Sequence, residues 1–299
     1  MRVPLRFACL FGVLAATLSA APLRVVTLHS VLTEIVTEVG GAEVTVTCLL
    51  RPGDDPHTFN PPPAEVRTLA QADLIVASGF GLEPFLDKLV ANSGTRAPLV
   101  SVSSVIKDVV PSSGGRSGAH AQVEVDPHWW HSLANVRVAT AYVRDRLAEL
   151  RPAATAAFQA RAAAYLARLD DLAAWAQTEV AQLPPARRQL VTSHDAFGYL
   201  ARDYGFTVHP LQGISPEAEP SARDLGALID LIKREHIRAV FVDNTENPKL
   251  LAAMLRESGA QLGGTLYADG VGPVGSPAAT YAGMFRHNLR TIVEALREL

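Results

Sequence analysis

The sequence predicts an α/β protein of two similar lobes, each a parallel sheet flanked by helices, joined by one long helix. Three observations carry that expectation. Short apolar runs with β-branched content alternate with segments whose apolar residues recur at helical spacing. That alternation runs once ahead of the Ser- and Gly-rich stretch 111–125 and again after Pro184 and Pro185. Between the two series lies an alanine-rich segment of about thirty residues, which as a helix rising ~1.5 Å per residue would span about 45 Å, enough to cross from one lobe to the other.

Taken in order, 23–28 (LRVVTL) reads as a strand, and Ser30 then precedes Leu32, Ile35, Val36 and Val39 at helical spacing until Gly40 and Gly41 stop the helix. Strands follow at 44–50, 73–78 and 98–102, with helices at 64–72 and 83–91. Such alternation implies a parallel sheet covered by helices. Residues 111–125 are the least structured stretch. Helices over 135–150 and 153–183 come next, separated at Pro152. The second series has strands at 189–193, 206–211, 239–243 and 264–268, with helices at 196–204, 222–236, 248–257 and 281–298. Only the order of elements repeats between the lobes; no sequence repeat is visible.

The expected organisation is an export signal over 1–20, a first lobe over 21–150, a linking helix over 151–184 and a second lobe over 185–299. Arg2 and Arg6, the apolar run 7–18 and the small residues Ser19, Ala20 and Ala21 carry the signal reading. That run is shorter than the roughly 20 residues that span a bilayer. Cys9 sits too early in it for lipid attachment. A chain of 299 residues, 48% hydrophobic and 19% charged, exceeds one small core and is neither disordered nor fibrous in composition. Loss of Arg2 and Arg6 with the signal takes the formal net charge from -3 to -5, which leaves nothing basic to attract nucleic acid. Cys48 is then the only cysteine, so no intrachain disulfide is expected, and it reads as a buried small apolar residue.

Open parallel sheets bind ligands in the loops beyond the carboxyl ends of their strands. Four residues there could ligate a metal: His57 within GDDPHTF, His128 within DPHWWH, and His194 and Asp269 at the ends of their strands. Three neutral imidazoles and one carboxylate suit a tetrahedral zinc ion, two donors coming from each lobe. The other histidines read differently. His29 and His209 lie at strand ends and are candidates to line the cleft, His131 reads as a surface residue at a helix N-terminus or, one turn beyond His128, as a partner that supports the ligands, and His236 and His287 fall on helices. His120, in the loose stretch, is a candidate to pass metal inward. Glu217 and Glu219 precede Ser221, an expected N-cap. Asp243 and Glu246 are candidates for hydrogen bonds around the cleft, and Trp129 and Trp130 for core aromatics that keep water from it.

The motifs go further than spacing. GDDPHTFNPPPAEVRTLAQADLIVASGFGLEPFLDKL, DPHWWHSLANV, TSHDAFGYLARDYG, QGISPEAEPSARDL, FVDNTENPKL, LYADGVG and YAGMFRHN occur in this order over essentially the whole chain after the signal. With them the chain resembles the zinc and manganese solute-binding proteins of bacterial ABC transporters. The resemblance implies a helical-backbone metal receptor with the metal in the cleft between its lobes. It implies His57 of the PH motif, His128 of the DPH motif, His194 and Asp269 as the ligands. Manganese-type members commonly carry glutamate at the third position, so His194 implies Zn(II), with Mn(II) as the second candidate. The stretch 111–125 departs from the zinc-type pattern, holding only His120 and Glu124 where many members have a long His- and acid-rich loop.

The implied function is capture of the ion in the periplasm, by a monomer that is not an enzyme, and its delivery to an ABC permease with a cytoplasmic ATPase. The alternatives are a secreted zinc-dependent hydrolase, or a metal-binding adhesin or chaperone without a transporter. A hydrolase needs an open ligand position for water, and no HExxH or comparable general-base motif occurs in the chain.

Overall fold

A computed structural model describes residues 21–51, 53–112, 124–214, 221–243 and 248–298. The expected signal, His120, Glu217, Glu219 and Glu246 lie outside the described residues. β1 (Leu23–Thr27) and β2 (Val44–Cys48) pair in parallel, and the connection that such pairing requires is α1 (Ser30–Gly40), which buries Val31, Leu32, Ile35, Val36 and Val39 along one face. After α2 (Pro63–Ala70) the chain returns to the other side of β1 as β3 (Leu74–Ala77); α3 (Leu86–Ser93) then leads to β4 (Leu99–Ser101). The sheet is parallel throughout, in the order β2-β1-β3-β4. All four residues of β3 are buried, as a strand covered on both faces requires. Cys48 ends β2 half-buried rather than fully buried, next to Thr27 and Thr33, and burial pushes its thiol above the usual range.

Pro111 and Val125 form an isolated antiparallel bridge at the base of the stretch that the sequence reads as loose. A single 3-10 turn, Trp129–His131, then leads into α4 (Leu133–Leu150), capped by Ser132, whose side chain accepts a bond from the Asn135 amide. Pro152 opens a second 3-10 turn, so the long helix α5 begins at Thr155 and ends at Val180. Its 26 residues span about 39 Å at ~1.5 Å each, shorter than the alanine content alone suggests. Phe158, Ala162, Tyr165, Leu169, Leu172, Ala176 and Val180 make its buried stripe.

The second sheet repeats the winding of the first. β5 (Gln189–Thr192), α6 (Gly198–Tyr204), β6 (Thr207–Pro210), α7 (Ala222–Arg234), β7 (Ala239–Asp243), α8 (Pro248–Ser258), β8 (Gln261–Leu266) and α9 (Tyr281–Glu298) give the parallel order β6-β5-β7-β8. β8 starts three residues before the sequence predicts, and includes the pair Gly263 and Gly264. A Cβ at Gly263 would stand 2.6 Å from the Phe241 ring, and Gly264 has φ +137°, at a register shift between Val240 and Phe241.

α5 packs against α1 and α4 of the first lobe and α9 of the second. One continuous apolar core runs from Val25 and Ile35 through Trp130 and Phe158 to Phe285 and Leu289, so side-chain packing as well as the helix joins the lobes. No helix among the described residues is long and apolar enough to cross a membrane. Phe158 has no solvent exposure where α5 meets that core. Phe158→Ala should therefore cost about 3–5 kcal/mol of unfolding free energy, read as a lower urea midpoint at unchanged slope.

Candidate metal centre

The four predicted donors reach one point from four separate loops. His57 lies between β2 and α2, and His128 immediately before the turn that leads to α4; His194 is two residues past β5 and Asp269 three past β8. One nitrogen or oxygen from each stands within 4.8 Å of all the others. His57 Nε2 and His128 Nε2 are 3.2 Å apart, and Asp269 Oδ1 is 3.1 Å from His128 Nε2 and 3.4 Å from His57 Nε2. Asp269 Oδ2 is 3.4 Å from His194 Nε2. Donors about 2.1 Å from a common centre in a tetrahedron stand about 3.4 Å apart, so these separations suit one small divalent ion.

Each donor is held locally. Asp55 accepts the His57 amide at 2.8 Å, which closes a turn around that residue. Asp126 Oδ1 accepts both the backbone amide of His128, at 2.8 Å, and its Nδ1–H, at 2.7 Å, leaving Nε2 to face the cluster. Asp243 Oδ2 stands 3.4 Å from His194 Nδ1, and Thr192 donates its hydroxyl to the His194 carbonyl at 2.9 Å. Asp126, which holds His128, is the residue of the cluster's surroundings that the sequence reading did not single out. Its position two residues ahead of His128 was the available signal.

His131 is not a surface residue: it is buried in the 3-10 turn, with Nε2 2.9 Å from the Ala268 carbonyl. His29 is equally buried and reaches the Asp269 carbonyl at 3.1 Å, so it touches the ligand loop without joining the four donors. His209 bonds Gln189 Oε1 at 2.8 Å and stays apart from the cluster. His236 falls two residues beyond α7, whereas His287 lies on α9 and bonds the Thr265 carbonyl. Trp130 walls the cluster, edge-on to His128 at 5.3 Å between ring centroids, while Trp129 is a core residue that donates to Ser78 Oγ.

Burial alone would lower the His128 imidazole, but the carboxylates of Asp126 and Asp269 lift it to about 10. His194 is raised as well, because Asp269 and Asp243 outweigh its burial. Burial would raise the Asp269 carboxyl; the imidazoles around it hold it well below the ordinary carboxylate range. His29 and His131, with no carboxylate bonded to their rings, are pushed down by burial to about 4 and about 3. His194 Nε2 and Asp269 Oδ2, which face each other at 3.4 Å in the cluster, are among the buried polar atoms without a hydrogen-bond partner among the described residues. Buried polar atoms are rarely left so, and a cation between them would satisfy both.

Residues 25–295 match the family described as the periplasmic component A of zinc-uptake complexes, ZnuA. The chain belongs to this family. Among ZnuA relatives, the zinc-binding protein TroA of Treponema pallidum is 35% identical over 291 residues, 96% of this chain and 92% of that one. A solved structure of that protein superposes with a TM-score of 0.84 at 34% identity, covering 92% of this chain and 99% of its own. The manganese-binding lipoprotein MntA of Bacillus subtilis is 33% identical over 282 residues, 92% of this chain and 90% of its own length.

In this ZnuA-family chain the two kinds of buried histidine should titrate in opposite senses. Without metal, His128 should remain protonated on both nitrogens at pH 8, while His29 and His131 stay neutral down to pH 5.5. Imidazole nitrogen NMR reads this directly. Asp126→Asn should move His128 downward, and a neutral wild-type His128 at pH 8 would contradict the charge pairing with Asp126.

Proposed function

We propose that this chain is the extracytoplasmic substrate-binding subunit of an ABC uptake system, and that His57, His128, His194 and Asp269 hold its cargo, Zn(II) in preference to Mn(II). The observation that carries the reading is the convergence of three imidazole nitrogens and one carboxylate, all within 4.8 Å of one another. Three nitrogen donors favour zinc, a borderline-soft ion, over manganese, which suits oxygen-rich shells. The ion is cargo and not a reagent: with four protein donors around it, a tetrahedral zinc has no position left for an activated water. That argues against the hydrolase alternative. The family match over 25–295 favours a transporter subunit over an adhesin or a free-standing chaperone.

The partner in this reading is a membrane permease with its cytoplasmic ATPase, met by a monomeric receptor in the periplasm. Arg2, Arg6 and the apolar run 7–18 support export of the chain, with 1–20 removed. The lobes over 21–150 and 185–299, joined by 151–184, would then part only slightly to release the ion, because the apolar core continues across them.

Titration of chelator-stripped protein tests the reading. Zinc should bind as a single ion per chain, more tightly than manganese, and raise the melting temperature; at a free concentration a thousandfold above Kd the stabilisation is about 4 kcal/mol. His57→Ala and Asp269→Ala should each weaken zinc on the order of 100-fold or more. His194→Glu replaces a nitrogen by a hard oxygen and should narrow the zinc preference. Unaltered affinity in His57→Ala, or zinc-dependent turnover of ester or phosphoester substrates, would overturn the assignment.

Proton competition has a definite sign. Metal needs neutral imidazoles, so affinity falls as pH falls. Because His128 sits at about 10 in the metal-free protein, zinc binding should still release protons at pH 8 and continue to tighten above it. Calorimetry in buffers of different ionisation enthalpy measures that release, and a release of zero at pH 8 would count against His128 as a donor.

A further inference from the structure

Past Leu266 the β8 ladder has ended, and the Ala268 and Asp269 carbonyls leave the second sheet. Buried carbonyls must find donors elsewhere. Here they find them on the opposite lobe. Trp130 Nε1 donates to the Ala268 oxygen at 2.9 Å, His131 Nε2 reaches the same oxygen at 2.9 Å, and His29 Nε2 reaches the Asp269 oxygen at 3.1 Å. The Val271 amide donates to Ser30 Oγ at 3.0 Å. Between them Gly270 has φ +140°, and a Cβ there would lie 2.5 Å from Ser30 Oγ, so the loop and the start of α1 are in close approach.

We infer that His29 and His131 are positioning residues for the cargo site: their Nε2–H groups fix the main chain of the Asp269 loop from across the lobe boundary and so set where the carboxylate points. The inference rests on the metal reading above.

A carbonyl oxygen only accepts, so both rings must carry hydrogen on Nε2. The rings are wedged in place. His29 lies against Trp130, with centroids 4.2 Å apart, and His131 against Phe197, at 4.6 Å. His29 Nδ1 is buried without a hydrogen bond, so no other contact gives that ring another function among the described residues. An apolar side chain would fill either space with no polar atom to desolvate, so the N–H is the feature that distinguishes histidine there.

The two lobes also place equivalent histidines differently. β1 and β5 occupy the same position in their sheets, each ends in threonine, and two residues beyond stand His29 and His194. His194 faces the cluster through Nε2. His29, its counterpart, uses Nε2 to hold the backbone of the ligand contributed by the other lobe.

The test separates donor from shape. His29→Leu and His131→Leu keep an apolar filler and remove the donor, whereas His29→Gln and His131→Gln retain an N–H. Each Leu variant should weaken zinc 10–100-fold, in the range for loss of an outer partner of a metal ligand, and the Gln variants should recover most of it. Melting of the metal-free proteins shows whether each variant is folded; if a Leu variant is not, the Gln variant at that position is compared with an Ala variant. Hydrogen–deuterium exchange over 268–272 in metal-free protein should rise in the Leu variants and return in the Gln variants. Zinc affinity and exchange that match wild type in both Leu variants would overturn the inference, as would equal losses in Leu and Gln. A wild type that binds neither zinc nor manganese would sink the cargo reading instead, and the exchange data would still decide whether these histidines hold the loop.

Discussion

The buried carboxylate of Asp269 is the constraint around which the rest is arranged. An anion out of water is costly unless charge and hydrogen bonds replace its solvation. Here the replacement comes from three imidazoles on three other loops, one of which, His128, is itself held charged by Asp126. In the metal-free site, protonated His128 supplies positive charge that faces the carboxylate. The carboxylate therefore does not face its neighbours unpaired in the metal-free protein.

That electrostatic demand also explains the architecture around the site. Four donors on one point require four loops of fixed length to leave from rigid supports, which two sheets wound in the same order provide at the carboxyl ends of their strands. α5 and the apolar core that runs through both lobes keep those supports at one separation.

The fold was largely legible in the residues because strands and helices carry different periods, and the four candidate donors converge because they sit where parallel sheets expose side chains. β7 and α9 were bounded in full by their apolar patterns. The start of β8 was not, since Gly263 and Gly264 weaken a strand pattern and their reason, the Phe241 ring and a register shift, lies on another strand. α3 begins at Leu86 and not at 83 because Glu83 turns back to accept the amides of Ser78 and Gly79. His131 followed an aromatic pair that reads as a helix entrance, and only the 3-10 turn buries it. Asp126 was in plain view beside His128. Contacts from a side chain to a distant carbonyl, such as those of His29 and His131, leave no periodic trace at all.

Cys48 shows what the fold withholds from the same chemistry. A thiolate is softer than any imidazole and would offer zinc or copper(I) a second, misdirected home, or couple to a thiol on another molecule. Set at the end of β2 against Thr27 and Thr33, its sulfur is kept in the protonated form by burial. Among the described residues Cys48 is the only cysteine, so burial leaves no readily ionised thiol there to compete with imidazole and carboxylate for a metal ion.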